Sequence, residues 1–260
     1  MRSLDLQVPS LRLALRVWRR DQRVFARAWR GSLLPQFIDP VFYLVALGFG
    51  LGAYVHTIAG VSYKEFIAPG LCCSAVMWAA SFETTWNTYY KLEEIRLYDA
   101  IVSTPVEVPD LVLAEMLWAA TRALIYGTVF GVVISVFGLV HSAWFVILPP
   151  FLFLGGMCFA ALGLAFTSLV RHPDRYTYYF TLFITPTFLF GGIFYPYDRL
   201  PDWARTIAWF TPLYHLVGIS RGLATGPQAT AIAGHAVWLA VVTAAVFVIP
   251  VRQMTRRLVP

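Results

Sequence analysis

Charged residues are scarce in this sequence. Asp, Glu, Lys and Arg make up 13% of the 260 residues, which is about half the share found in a soluble domain. Hydrophobic residues make up 58%, and the mean hydropathy is +0.65. Several apolar runs reach the length of about twenty residues that crosses a bilayer. This balance excludes an ordinary soluble domain and predicts an all-α integral membrane protein.

Lysine, cysteine and metal-binding patterns are also rare. Neither of the two lysines, Lys64 and Lys91, follows a glycine-rich turn, so the P-loop of an ATP-binding protein is missing. The three cysteines lie inside apolar runs, and the five histidines lack the spacing of metal ligands. We therefore expect no disulfide framework, no metal site and no cofactor in this chain.

An arginine-rich amphipathic helix is predicted over Leu11 to Arg30. At 100° per residue its arginines fall within a sector of about 100°, and apolar residues fill most of the rest, with Asp21 and Gln22 as exceptions. This pattern is typical of a helix that lies in the membrane interface. A nucleic-acid arm or a calmodulin target has a similar basic face, but the apolar runs that follow favour the membrane. The arginines are Arg12, Arg16, Arg19, Arg20, Arg23, Arg27 and Arg30.

Six membrane spans are predicted after this helix, so that residues 1–31 form an amphipathic cytoplasmic segment and 32–260 a transmembrane domain. The spans cover about 40–59, 66–90, 111–140, 144–170, 176–194 and 231–251. With the N-terminus in the cytoplasm, the cytoplasmic segments hold fifteen Lys and Arg residues and the outer segments hold four. This asymmetry places both termini, and the polar segment 91–110, in the cytoplasm.

The polar segment 91–110 separates the second and third predicted spans. Residues 93–102 can form about three helical turns, which Pro105 and Pro109 stop. Ile95, Leu97, Tyr98 and Ile101 would offer an apolar knob, and the flanking charges would orient it. Such a helix is typical of a docking site for a cytoplasmic partner, and a solvated loop is the alternative. The charged residues of the segment are Lys91, Glu93, Glu94, Arg96, Asp99, Glu107 and Asp110.

The segment 197–226, after the fifth predicted span, is too polar at its start to cross the membrane. Pro201 and Pro212 divide it into two short amphipathic pieces, about 202–210 and 213–223. These pieces would form a re-entrant outer hairpin whose backbone is satisfied by protein or water. The alternative is a surface loop anchored in the headgroups by Trp203 and Trp209.

Three charged residues lie inside predicted spans, where charges are costly. Glu83 and Arg122 lie at depths that differ by a few ångströms at about 1.5 Å per residue, so we predict that they form an ion pair. Glu115 would lie nearer the inner surface. The cluster would line a transport path or hold the second and third spans together.

Aromatic residues are concentrated in the fifth predicted span. Sugar rings stack on aromatic faces, and Tyr178 and Tyr179 are our candidates for a substrate path. The alternative is an interfacial belt with phenylalanines that face lipid.

Two runs resemble the permeases of ABC type-2 transporters, with the closest likeness to nodulation lipo-oligosaccharide exporter permeases. They are RLYDAIVSTPVEVPDLVLAEMLWAATRALIYGTVFGVV (96–133) and FLFGGIFYPYDRLPDWARTIAWFTPLYHLVGISRGL (188–223). The resemblance implies that Leu11–Arg30 is a gate helix, that residues 93–102 are the coupling helix with Glu93 or Glu94 as its coupling acid, and that 197–226 are re-entrant. It also implies a homodimer in the bacterial inner membrane. Two separate cytoplasmic subunits would bind Mg-ATP, and the substrate would be a lipidic or glycan molecule.

Other functions are less well supported by the sequence. Residues 218–222 match G-x-S-x-G, but this motif requires a strand and a helix of an α/β sheet, which the sequence does not predict. An intramembrane transferase would use Glu83 or Glu115 as its base, and turnover by this chain alone would identify it. A membrane anchor or receptor subunit would recruit a partner through 91–110 without moving a substrate, and its dimer core would be apolar.

Overall fold

Ten α-helices form most of the computed structural model, which describes residues 8–58, 60–226 and 228–258. Short π-helical and 3₁₀ turns extend several of them, and one small antiparallel hairpin pairs β1 (Thr57–Ile58) with β2 (Val61–Ser62). The helices are α1 (Leu11–Val45), α2 (Tyr63–Phe82), α3 (Leu97–Val102), α4 (Val108–Val136), α5 (Pro149–Leu169), α6 (Tyr176–Tyr179), α7 (Thr185–Phe190), α8 (Asp202–Trp209), α9 (Pro212–Thr225) and α10 (Ala229–Leu258).

Four helical runs within the described residues are long and apolar enough to cross a membrane. Each begins within about five residues of the start of a predicted span, because a long apolar run fixes the position of a spanning helix whatever packs around it. The runs are Tyr63–Glu94, Val108–Val136, Pro149–Leu169 and Ala229–Leu258. They correspond to the predicted second, third, fourth and sixth spans.

The first and fifth predicted spans are shorter and less regular. The apolar helix Val41–Ala53 is shorter than the four spanning runs, and α1 continues into it through residues 31–40 without a break. The fifth is wound as α6, a π-helical turn (Phe180–Ile184) and α7, which has a proline near its start. Residue 59 and residues 1–7, which belong to predicted segments, lie outside the described residues. The count of six spans stays a prediction.

The buried side chains form two hydrophobic clusters at opposite ends of the bundle. The larger one is built mainly from α2, α4, α5 and α9. The smaller one, here called the inner core, joins α1, α3, α10 and the adjoining ends of α4 and α5 at the predicted cytoplasmic end. Its members include Ala14, Val17, Leu92, Tyr98, Leu111, Leu164, Val251 and Met254. The N-terminal helix and the polar segment 91–110 therefore share one core.

The helix predicted over residues 93–102 has different bounds in the structure. The second spanning run continues as a π-helical turn to Glu94, and α3 begins at Leu97. Arg96 separates the two with φ of 46°, a left-handed conformation that is uncommon outside glycine. The prediction of one helix is wrong because Leu92 and Tyr98 are both buried, and a reversal at Arg96 lets both reach the inner core.

The outer segment forms two helices at nearly the predicted positions, α8 and α9. The short helix α8 is amphipathic and leaves Trp203 exposed. In contrast, α9 is packed against α2, α5 and α10, and Ser220 Oγ donates to the carbonyl of Pro69 at 3.1 Å. This packing makes α9 a member of the bundle rather than a surface loop, while its depth in a bilayer stays a prediction.

Candidate functional site

The N-terminal helix turns its arginines outward and buries a narrow face of small and apolar residues, while Leu11, Val24 and Trp29 are exposed. Arg16, Arg19, Arg23 and Arg27 are exposed and Arg20 is half-buried, whereas Ala14 and Val17 are buried. The buried face lies on α4, where Trp18 Nε1 donates to Thr121 Oγ1 at 3.0 Å and Phe25 meets Trp118 edge-on at 5.5 Å between ring centroids. The arginine face predicted from the sequence is thus present at these positions, and the side chain of Arg30 lies outside the described part of the chain.

Asp21 is the exception on this helix, and its position was not predicted. In the sequence it is a polar interruption of the apolar face, but its side chain is 4% exposed and points into the bundle. Its Oδ2 lies 3.4 Å from Lys91 Nζ. Its spacing of four residues from Val17, on the same helix face, is the feature that indicates this position.

A buried charge cluster joins α1, the second spanning run and α4. Glu83 and Arg122 form the ion pair that their depths predicted. Lys91 Nζ lies 2.7 Å from Glu115 Oε2 and 3.5 Å from Glu83 Oε1, in addition to its contact with Asp21. Lys91 was predicted to be one of the charges of the polar cytoplasmic segment 91–110, but its side chain is only 14% exposed and points into the bundle. The π-helical turn extends the spanning helix through residue 91 and directs the ammonium group at the acids.

The charges of this cluster nearly balance. Three carboxylates, from Asp21, Glu83 and Glu115, surround two cations, Lys91 and Arg122. Arg20, at the surface, approaches Asp21 at 2.7 Å and supplies a third positive charge. Asn87 Nδ2 donates to Glu83 at 2.6 Å and the Tyr126 hydroxyl accepts from Arg122 at 2.9 Å, while Glu115 Oε1 and Arg122 Nε are buried without a hydrogen-bond partner among the described residues. Such pairing is what makes buried charges tolerable.

The polar segment 91–110 exposes charges at the same end of the bundle. Glu94, Arg96 and Asp99 are exposed, and within the described residues Glu94 makes no ion pair. Glu93 instead pairs with Arg257 of α10. Arg257 also donates to the carbonyl of Val170 at 2.8 Å, so Glu93 is part of a contact that holds the end of α10 to the end of α5.

Tyr98 does not belong to the exposed knob that we predicted. Its side chain is 1% exposed and packs in the inner core, because α3 turns its apolar face toward α4 and α10. Leu97 and Ile101 are half-buried against the same core, and Ile95 is exposed. The apolar residue that a docking partner can reach is therefore Ile95.

The two tyrosines proposed for a substrate path point in different directions. Tyr178 is 62% exposed, whereas Tyr179 is 4% exposed and packs against Phe166, Phe180 and Phe183. Adjacent residues on a helix lie 100° apart, so one of the two is turned into the bundle. The assignment of Tyr179 to a path surface is wrong, and Tyr178 stays a candidate.

An aromatic face that the sequence analysis missed runs along the second spanning helix. This helix is largely buried, but Trp78, Phe82, Trp86 and Tyr90, spaced by four residues, are exposed or half-exposed on one side. Phe180 of the fifth predicted span stacks on this row, 4.7 Å from Phe82 and 5.8 Å from Trp78 between ring centroids. The spacing of four was the feature that could have identified it.

A cavity of about 600 Å³ continues this face between the first and fifth predicted spans. Six of its ten lining residues are aromatic, and Trp78 belongs to both the row and the cavity. The lining residues are Tyr43, Leu47, Leu51, Tyr63, Trp78, Thr185, Phe188, Leu189, Phe194 and Tyr195. We call the cavity and the row together the aromatic face.

The G-x-S-x-G match does not form a nucleophile elbow. Ser220 lies within α9 and donates to a backbone carbonyl, while the nearby His215 bonds to His235 at 2.9 Å and to the carbonyl of Trp209 at 2.7 Å. Within the described residues, the sheet is limited to the hairpin β1–β2. This arrangement lacks the strand and the base that the motif requires.

Comparison with known proteins gives a consistent family. The model of the ABC-2 type transporter family matches residues 13–224. Nodulation protein J of Rhizobium leguminosarum bv. viciae is 34% identical over 94% of both chains, and nodulation protein J of Rhizobium meliloti (strain 1021) is 32% identical over 94% of this chain and 93% of its own. The inner membrane transport permease YadH of Escherichia coli (strain K12) is 25% identical over 77% and 78%. The chain with this buried charge cluster and aromatic face belongs to the ABC-2 type transporter family.

Proposed function

We propose that this chain is the transmembrane permease subunit of an ATP-driven exporter. It moves an amphipathic molecule, such as a lipid-linked glycan or a lipo-oligosaccharide, outward across the inner membrane. Two copies form the path, and two cytoplasmic subunits bind and hydrolyse Mg-ATP. The proposal rests on membership of the family and on the names of the relatives, which include nodulation proteins and a transport permease.

The aromatic face is the feature of the structure that best supports this proposal. From Trp78 to Tyr90 the row extends about 18 Å along the helix axis, more than half of a hydrocarbon core about 30 Å thick. Trp and Tyr combine an apolar ring with a polar group, so one surface can contact both the sugar rings and the acyl chain of an amphipathic molecule. A second copy placed opposite this face would separate the substrate from the surrounding lipid.

The ATP-binding subunits dock on this chain through the exposed charges of residues 91–110. Glu94 is the better coupling acid, because Glu93 already pairs with Arg257 and docking through Glu93 would require breaking that contact. Arg96 and Asp99 lie beside Glu94 on the same exposed surface, with Ile95 as the apolar contact. Charge pairs at the rim of an interface set orientation and salt dependence, which fits the role of a coupling helix.

The rival functions fit the structure less well. A transferase base must be free to accept a proton, but Glu83 and Glu115 are held by Arg122 and Lys91. A subunit that only anchors a partner does not require a row of exposed aromatic side chains along an otherwise buried span. Export dependent on a separate ATPase supports the permease, whereas turnover by this chain alone would support the transferase.

The experiment is a complementation in the native host. Deleting the gene for this chain should cause one lipid-linked species to accumulate in the inner membrane, and lipid extraction followed by mass spectrometry identifies it. Re-expression of Trp86→Ala or Tyr90→Ala should leave that species largely unexported at normal protein levels. Trp144→Ala, which changes an exposed tryptophan outside the aromatic face, is the matched control and should restore export.

A parallel pair of variants tests coupling. Glu94→Lys should abolish export, and Glu93→Lys should retain a part of it at reduced protein stability. An unchanged lipid profile after deletion, or full export with both aromatic variants, would overturn the proposed function.

A further inference from the structure

Lys91 lies where the N-terminal helix, the second spanning run and α4 meet. We propose that Lys91 is a positioning residue of the transport cycle, a reversible electrostatic latch that ties the N-terminal helix to the coupling segment 91–110. The inference deepens the proposed function and rests on it. Its parts are the ammonium group of Lys91, the carboxylate of Asp21 on one side, and those of Glu83 and Glu115 on the other.

The N-terminal helix reaches the cluster at two points. Asp21, the one acidic residue between Leu11 and Arg30, contacts Lys91 at 3.4 Å. One turn further on, the ring of Phe25 lies 5.4 Å from the guanidinium carbon of Arg122. The helix thus contacts both buried cations, Lys91 of the second spanning run through its single acid and Arg122 of α4 through an aromatic ring.

The backbone around Lys91 is irregular. Residues 83–87 and 90–94 are wound as π-helical turns, which are rare and frequently found at functional sites. Two residues after the second turn, Arg96 takes a left-handed conformation. Because Lys91 belongs to the π-helical turn that leads into the exposed charges, rewinding of that turn on docking changes the direction of its ammonium group.

The remaining ion pairs allow the contact between Asp21 and Lys91 to open and close reversibly. If the N-terminal helix leaves, Lys91 keeps Glu115 and Glu83 as partners, and Asp21 keeps Arg20 at the surface. No buried cation is left unpaired, so the open state avoids the large cost of an isolated buried charge. Loss of Lys91 itself would instead leave three carboxylates with Arg122 as their one buried cation. The latch can therefore open at Asp21 without disrupting the other side of the cluster.

Hydrogen exchange of the full chain in lipid nanodiscs tests the latch without any partner. Asp21→Asn should speed amide exchange in residues 11–27 at least tenfold and leave the spanning runs unchanged. Asp202→Asn, which neutralises an exposed outer acid, is the matched control and should exchange as wild type. Lys91→Arg should keep slow exchange because it keeps the charge. Exchange in Asp21→Asn equal to that of wild type would overturn the latch.

The assembled complex tests the link to transport. Spin labels at Arg19→Cys and Ser103→Cys report the distance between the N-terminal helix and the end of α3, and the native cysteines are fully buried. In the wild-type complex, the distance between the two labels should differ between the ATP-free and the ATP-bound state. Asp21→Asn should keep ATP hydrolysis, lose most export and broaden the distance distribution in every state. Normal export by Asp21→Asn would overturn the inference.

The two arms separate the inference from the proposed function. A wild-type complex that hydrolyses ATP without moving any lipid-linked species would overturn the proposed function whatever the exchange data show. Wild-type export combined with unaltered exchange in Asp21→Asn overturns the latch alone.

Discussion

Replacing Arg122 with Gln should destabilise the folded chain more than replacing Glu83 with Gln, although both changes remove the same ion pair. The cluster holds three buried carboxylates and two cations. Arg122→Gln leaves all three carboxylates around Lys91, whereas Glu83→Gln leaves two carboxylates with two cations. The difference follows because an uncompensated buried charge costs more than a missing partner.

The neighbouring contacts set the size of each effect. Breaking a buried pair so that one charge is unpaired costs about 3–5 kcal/mol, which applies to Arg122→Gln. After Glu83→Gln, Arg122 keeps the hydroxyl of Tyr126 at 2.9 Å and Lys91 keeps Glu115 at 2.7 Å. The expected loss is then about 1.5–3 kcal/mol, the value of a hydrogen bond to a charged group. At about 2–4 °C per kcal/mol for a chain of this size, the Tm should fall by roughly 6–20 °C for Arg122→Gln and roughly 3–12 °C for Glu83→Gln.

Thermal unfolding in detergent micelles, followed by circular dichroism, measures both values. The double variant should be less destabilised than the sum of the single ones by about 1–3 kcal/mol, as expected for residues in contact. Arg205→Gln, which removes an exposed pair with Asp202, should leave the Tm nearly unchanged. Equal losses for the two single variants, with a strictly additive double variant, would refute the proposed charge balance.

Three further predictions concern other parts of the chain. A cysteine placed at Asp202 should be labelled from outside intact cells, and one placed at Asp99 should be labelled only after permeabilisation; labelling of Asp99→Cys in intact cells would contradict the predicted orientation. Tyr98→Ala should lower stability by about 3–5 kcal/mol because it empties a site in the inner core, so reduced membrane levels are expected, and normal levels with lost docking would contradict its buried position. Burial, with a smaller effect from the neighbouring His235, lowers the pKa of His215 to about 4, although the hydrogen bond to the Trp209 carbonyl acts in the opposite direction. Tyr214 is the other titratable ring in contact with it. The stability that depends on the neutral ring is therefore complete above about pH 6.5 and is lost as the pH falls toward 4. A series of Tm measurements over that range checks this; a flat profile, or the same profile in His215→Gln, would contradict it.

The sequence by itself determined the class of the protein and the positions of its longest elements. The four spanning runs, the outward arginines of the N-terminal helix and the bounds of α8 and α9 follow from apolar length, helical periodicity and prolines, all of which are local properties. The Glu83–Arg122 pair was also accessible, because depth along two adjacent spans follows from counting residues. These features depend little on which other helices pack nearby.

The tertiary structure alone decided which polar residues are buried and which are exposed. From the sequence, Lys91 and Asp21 are expected to be surface charges. In the structure, the π-helical turn and the packing of α1 on α4 bring them together inside the bundle. From the sequence, Tyr98 and Tyr179 are expected to be exposed, but their helices are oriented so that both side chains face the cores. The physical reason is that a charge or a ring is stabilised by partners distant in sequence, such as Glu115 for Lys91, and periodicity carries no information about which distant helix supplies them.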